Sequence, residues 1–362
     1  MLNSPTFKIL VEQETITMHG TPQESAGNVL RGRLLLALSE VTKIKSIKLT
    51  FQGKSKVVWH GDSTSRFQSE EKTLIEHEWV FLEQKKYHLL APGNYNWGFE
   101  LVLPGSLPET IAGCEHGSIE YRLKAIAERP SFALNLNARQ NITLQRCSFL
   151  NSEDALDTVV SNTWTDRVIY DFSVDSKTLT LGDEISLSMD IKPLNQSLRV
   201  REYSCTFNEC VSYNVGTNKR SISKTLNSVR GDNLHWNEYL WSDSLKIRIP
   251  QSKTICHYDS DNSIIQIAHE LRLSIIFAVE ENRLVELRAT LPIIITLNND
   301  DMELPPYREF DPYNINSNRI NEHYEHYENV NISLPSYDSI ITNNDTSSYY
   351  KDITPPPPIY VV

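Results

Sequence analysis

No hydrophobic run in this sequence approaches the roughly 20 residues that a membrane-spanning helix needs. The N-terminus, Met1-Leu2-Asn3-Ser4-Pro5, has neither the basic nor the apolar region of a secretory leader. Any work at a membrane is therefore expected from outside the bilayer, by peripheral association. Positive charge is also scarce. The formal net charge is −11, and neutralising nucleic-acid phosphates needs a local or net excess of Lys and Arg, so nucleic acid is not an expected partner. The five cysteines, Cys114, Cys147, Cys205, Cys210 and Cys256, are odd in number and lack the Cys-x-x-Cys pairs of a zinc or redox motif. They read as reduced thiols of a cytoplasmic protein. The sequons at Asn141 and Asn344 then carry no weight. Gly-rich phosphate loops, a Gly-x-Ser-x-Gly elbow and convergent carboxylate pairs are missing as well, so no enzymatic activity and no cofactor are expected.

Strand periodicity fills residues 8 to 297. Ile47, Leu49 and Phe51 alternate with Lys48, Thr50 and Gln52; Ile119, Tyr121, Leu123 and Ala125 alternate with charged residues, and Ile185, Leu187, Met189 and Ile191 with polar ones. Period two with one apolar face predicts half-buried antiparallel strands. Turn signals at Gly27-Asn28, Gly53, Gly61-Asp62, Pro92-Gly93-Asn94, Pro104-Gly105 and Gly231-Asp232 punctuate them. At 362 residues the chain exceeds one ordinary domain. A faint repeat divides it: Leu101-Val102-Leu103-Pro104 precedes a strand starting near Ser118, and Ile247-Arg248-Ile249-Pro250 precedes one starting near Ser263. The shared offset predicts two sandwiches of similar plan, residues 1–150 and 151–298, with the boundary in the polar stretch 150–166.

After Asn298 the composition changes to Asn, Asp, Glu, Ser, Pro and Tyr. Eleven acidic residues face three basic ones from Asp300 onward, a net of −8. Such a segment buries too little apolar surface to fold, and residues 299–362 are expected to be a disordered acidic tail. It carries three tetrapeptides: Pro357-Pro358-Ile359-Tyr360, Leu334-Pro335-Ser336-Tyr337 and Leu304-Pro305-Pro306-Tyr307. Proline holds the backbone near polyproline II, its ring docks in an aromatic groove at little entropic cost, and the Tyr fills a neighbouring pocket. Each is thus a candidate ligand for a WW domain, with Tyr360, Tyr337 and Tyr307 as anchors. The motif tyrosines are 23 and 30 residues apart. Flexible-chain scaling gives an r.m.s. reach of about 25 to 33 Å, enough for one multi-WW partner to hold two motifs.

Histidine offers little. His323-Tyr324-Glu325-His326-Tyr327-Glu328 is a duplicated triplet in the tail and is not read as a metal site, and His269, on the apolar strand Ile267-His269-Leu271-Leu273, reads as a satisfied core residue. Two basic clusters, Lys43, Lys45, Lys48, Lys54 and Lys56 and then Lys219, Arg220, Lys224 and Arg230, read as a solvated strand face and a basic loop, with acidic segments or anionic lipid as the sharper alternative.

In order and content the chain resembles the α-arrestins, the arrestin-related trafficking adaptors of fungi. Gly27-Asn28-Val29-Leu30-Arg31-Gly32-Arg33-Leu34, Ile47 to Gly53, Pro92 to Leu101 and Ser118 to Ala125 look like their first, immunoglobulin-like sandwich; Leu181-Gly182-Asp183 and Ile264 to Leu271 look like their second. The resemblance implies two tandem arrestin-type β-sandwiches and a non-enzymatic adaptor. Such an adaptor links integral-membrane cargo, commonly nutrient transporters, to a WW-domain HECT-type ubiquitin ligase. Recruitment from the cytoplasm to plasma membrane, endosome or Golgi is implied, as is ubiquitin attached to a lysine of the second domain. Lys219, Lys224 and Lys253, read as lying between strands, are the candidate acceptors. An arrestin-like endosomal sorting scaffold without a ligase is the alternative.

Overall fold

A computed structural model describes residues 5–60, 67–130, 133–147, 158–194, 197–232, 234–279 and 283–297. The described residues are strands and turns without a helix, so none offers a helix long and apolar enough to cross a membrane. Period-two patterning gives each strand one face to bury, and here a second sheet buries it.

The first sandwich sets a sheet of β1 (Thr6–Val11), β3 (Asn28–Leu38) and β8 (Gly93–Leu103), in the order β1-β3-β8, against a second sheet. That second sheet runs β2 (Thr15–His19), β10 (Leu136–Cys147), β9 (Gly117–Glu128), β5 (Ser46–Trp59), β6 (Gln68–Leu82). A small ribbon of β4 (Thr42–Ile44) and β7 (His88–Leu90) closes one corner. All pairs are antiparallel except β2 with β10. Leu34, Leu36, Leu49, Phe51, Ile119, Leu123 and Leu144 meet between the sheets.

The second sandwich repeats this plan. One sheet holds β11 (Thr158–Trp164), β12 (Val168–Val174), β14 (Glu184–Pro193), β18 (Leu240–Arg248) and β17 (His235–Asn237) in that order. The other runs β13 (Thr178–Leu179), β21 (Leu284–Ile295), β20 (Ile265–Ala278), β15 (Arg199–Val215), β16 (Asn218–Gly231), with β19 (Ser260–Asp261) beside β20. Here too a short strand pairs in parallel, β13 with β21, as β2 does with β10. The offset between Leu103-Pro104 and Ile249-Pro250 thus marks equivalent crossings, β8 to β9 and β18 to β20, from one sheet to the other.

Three details differ from the sequence reading. Gly53 is not a turn residue: it lies inside β5 opposite Tyr121, and a Cβ there would stand 2.4 Å from the Tyr121 ring. The position is glycine because the aromatic ring lies across the strand. Within the stretch 150–166, β11 already pairs with β12. Its tight turn is built by Thr165 and Asp166, both at positive φ (46° and 52°), so no glycine marked it. Finally, Lys219 and Lys224 lie within β16, not in a loop between strands. As an edge strand with apolar residues only at Ile222, Leu226 and Val229, β16 lacks the alternation of a half-buried strand.

Candidate functional site at the seam between the sandwiches

The nine tail residues singled out as WW ligands, Leu304, Pro305, Tyr307, Leu334, Pro335, Tyr337, Pro357, Pro358 and Tyr360, fall outside the described residues. Of the lysines, Lys219 and Lys224 are exposed on β16, where Lys219 Nζ donates to Gln266 Oε1 at 3.3 Å. Lys253 is exposed in the turn after β18, its ammonium 5.1 Å from the centre of the Tyr258 ring. The basic face of β5 is partly neutralised by its neighbour, since Lys48 pairs with Glu78 at 3.0 Å and Lys54 with Glu71 at 2.9 Å. That is the solvated strand face the sequence suggested.

The densest chemistry lies where the two sandwiches meet. Strand β15 turns Cys205, Phe207, Glu209, Val211 and Tyr213 to its buried face, which puts a carboxylate among apolar side chains. Directly across the ladder, β20 places His269 opposite Glu209. The turn after β18, closed by Cys256 N–H to Ser252 O at 3.1 Å, then brings in Cys256, His257 and Asp259.

His257 holds the centre of this group. Its backbone N–H donates to Glu209 Oε2 at 2.7 Å, and its Nδ1 donates to the same oxygen at 3.0 Å. Its Nε2 reaches the first sandwich, donating to Ala112 O at 3.1 Å with Cys114 Sγ 3.9 Å away. His269 Nδ1 donates to Asp259 Oδ1 at 2.6 Å, and that oxygen also accepts the Ile295 N–H at 2.9 Å. His269 Nε2 faces Glu209 Oε2 at 3.4 Å and Cys256 Sγ at 3.6 Å.

These contacts shift Glu209, His257 and His269. Burial would raise the Glu209 carboxyl, but the bonds from His257 and His269 hold it well below the usual carboxylate range. Contacts with Cys114 and then Glu209 push His257 up to about 10 against the cost of its burial. For His269 burial is the largest influence and would lower it; Asp259, Cys256 and Glu209 together outweigh it and push the imidazole up to about 11. The Glu209 carboxylate thus faces two imidazoles and favours their charged forms, which is how charge persists in an apolar interior.

The rest of the seam is apolar and hydrogen-bonded. Val211, Tyr213, Ile265 and Ile267 of the second sandwich belong to the core of the first. Ser260 Oγ donates to Glu109, Arg220 Nη1 to His60 O at 2.9 Å, and Asn218 Nδ2 to Gln68 Oε1 at 3.2 Å. Cys256, His269 and Asp259 have the order of a nucleophile, a base and an orienting carboxylate. Cys256 is 0% exposed, however, so a substrate cannot reach the sulfur.

Of this group, sequence reading singled out His269, as a satisfied core histidine, and the structure bears that out. Glu209 was missed although a signal existed: it occupies a core-face position, two residues from Phe207 and from Val211.

Comparison with known proteins identifies the architecture. Residues 19–151 match the N-terminal domain model of arrestin (S-antigen), and residues 164–299 its C-terminal domain model. The arrestin domain-containing protein C31A2.12 of Schizosaccharomyces pombe is 27% identical over 97% of this chain and 59% of its own length. A probable HECT-type ubiquitin ligase-interacting protein creD of Aspergillus fumigatus is 29% identical over 81% of this chain and 52% of its own. The creD protein of Aspergillus oryzae gives the same figures, 29%, 81% and 52%. The chain therefore spans little more than half the length of these curated relatives. With both domain models matched in order and the same sheet plan in each half, the chain belongs to the arrestin family.

Proposed function

We propose that this chain is a ubiquitin-ligase adaptor: its sandwiches engage integral-membrane cargo, of which nutrient transporters are the expected class, while the tail recruits a WW-domain HECT-type ligase. Ubiquitin is then transferred to cargo, which is sorted for endocytosis, and to the adaptor itself. The observation that carries this reading is the sequence of two arrestin domains followed by three Pro-Tyr tetrapeptides ending at Tyr307, Tyr337 and Tyr360. The Aspergillus relatives, described as interacting with a HECT-type ubiquitin ligase, support it. The adaptor works from the cytoplasm and is recruited to plasma membrane, endosome or Golgi by its cargo.

One WW–peptide contact is small, so binding strength comes from engaging two motifs at once, which can exceed single-site affinity by about a hundredfold. The test is titration of the full chain against a ligase fragment with several WW domains. Tyr360→Ala should weaken binding partially and Tyr337→Ala with Tyr360→Ala far more. Full affinity in the double variant would overturn the ligase-binding part of the proposal and favour a sorting scaffold that acts without a ligase.

A further inference from the structure

We propose that Glu209, Cys256 and His269 form a zinc site at the seam between the sandwiches. Their ligand atoms all lie within 4.8 Å of one another, and all three residues are buried.

Spacing favours a metal at this point. Cys256 Sγ and Glu209 Oε2 stand 3.6 and 3.4 Å from His269 Nε2. The nitrogen–oxygen separation is longer than a charge-assisted hydrogen bond, which would close to about 2.8 Å, while the nitrogen–sulfur separation is an ordinary one for sulfur. They match the edges of a tetrahedron around zinc: bond lengths of about 2.0–2.2 Å to nitrogen and oxygen and about 2.3 Å to sulfur give edges of about 3.3 to 3.6 Å. His269 Nε2 thus stands from each of the other two donors at a distance an ion between them would require.

The orientation of His269 favours it too. Metal-binding imidazoles ordinarily donate their other N–H to a carboxylate, which fixes the tautomer and turns the lone pair to the metal. His269 Nδ1 does this to Asp259 Oδ1 at 2.6 Å, and the Ile295 N–H fixes that oxygen in turn at 2.9 Å. Nε2 is left facing Cys256 and Glu209.

Ligand chemistry selects the ion. A thiolate, an imidazole and a carboxylate suit zinc, whereas magnesium and calcium prefer oxygen donors alone. Charge balances: a divalent cation enters as the Cys256 thiol and His269 Nε2 each release a proton, leaving thiolate, neutral imidazole and Glu209 carboxylate around it. A cavity of about 400 Å³ lined by Glu209, His257 and Cys114 reaches the Glu209 side. It brings solvent to Glu209, but Cys256 and His269 do not line it, so loading requires local opening of the turn after β18. The ion would tie β15, β20 and the turn after β18 together. Through His257, which bonds both Glu209 and Ala112 O, it would stiffen the junction with the first sandwich.

The test uses the full chain, stripped of metal and titrated with cobalt(II) as a spectroscopic stand-in, and in parallel loaded with zinc and dialysed before elemental analysis. About one equivalent of cobalt should give a thiolate-to-metal charge-transfer band and the intense visible bands of tetrahedral cobalt. The dialysed chain should retain about one zinc. Cys256→Ser and Cys256→Ala should each abolish the charge-transfer band, and His269→Gln should lose the retained zinc. Cys210→Ser, on the same strand as Glu209 but outside the ligand group, should change neither. Chelation of the loaded wild-type chain should lower its Tm by several degrees, and zinc should restore it. Failure of the wild-type chain to hold either metal, or a charge-transfer band surviving at Cys256→Ser or Cys256→Ala, would show that the seam is a hydrogen-bonded ion network only. The wild-type arms decide the question even if a variant fails to fold.

Discussion

Tyr203 lies buried on β15 with its hydroxyl donating to Asp243. Burial first, and then the Asp243 carboxylate, push the phenol from its ordinary 10 up to about 12. A raised folded-state value means stability is fully present below about pH 10 and lost as pH rises towards about 12, because the unfolded chain ionises first. Tyr203→Phe should therefore cost about 1 kcal/mol at pH 8, from the lost hydrogen bond, yet flatten the alkaline loss, as urea unfolding at pH 8 and 11 would show. A variant with the wild-type alkaline slope would remove Tyr203 from that role. Backbone sets a second residue-scale requirement. Gly27 has φ of +84°, and a Cβ there would meet Leu103 O at 2.2 Å, so Gly27→Ala should destabilise by about 1–3 kcal/mol from strain alone, read as a lowered urea midpoint. Sequence marked Gly27 as punctuation for the right reason and Gly53 for the wrong one. A glycine that ends a strand and a glycine beneath a tyrosine look alike until the partner strand is known.

Elements were legible where burial is one-sided. In β9 and β14 the apolar residues at every second position give the register directly. Edge strands escape this logic, since β16 packs few side chains and its ladder to β15 is carried by the backbone. Its placement bears on the proposed ubiquitin transfer. Lys219 and Lys224 stand on a strand paired along its whole length, whereas Lys253 lies in a turn. A ligase active site needs to draw an acceptor amine and some of its backbone outward, and leaving a turn breaks fewer hydrogen bonds than leaving a ladder. The cation–π contact with Tyr258 opposes this by only about 0.5–1 kcal/mol at an exposed site. In a reaction reconstituted with the proposed WW-domain ligase, Lys253→Arg should therefore reduce ubiquitination of this chain more than Lys219→Arg and Lys224→Arg combined. Mass spectrometry placing most of the modification on β16 would reverse that order.

At the scale of the whole molecule, duplication was readable and the seam was not, for one physical reason. Each sandwich is specified by patterns local to its own half, so the offset between the Pro104 and Pro250 strands could be seen along the chain. The seam joins residues far apart in sequence, Ala112 and Cys114 with Glu209, His257 and His269, and no periodicity connects them. The consequence is energetic coupling. Ile265 is 0% exposed and packs within the first sandwich's core although it opens β20 of the second; its Cδ1 lies so close to Gly117 that a Cβ there would stand 2.9 Å from it. Ile265→Ala removes this plug and should cost about 2–5 kcal/mol. If the junction makes the two sandwiches one cooperative unit, the loss must appear on both sides of it. Amide hydrogen exchange in β5 of the first sandwich and in β15 of the second should then accelerate together, by similar factors, under conditions where exchange reports global opening. Faster exchange confined to β15, with β5 unchanged, would mean that the sandwiches open independently and that the seam is a contact without mechanical consequence.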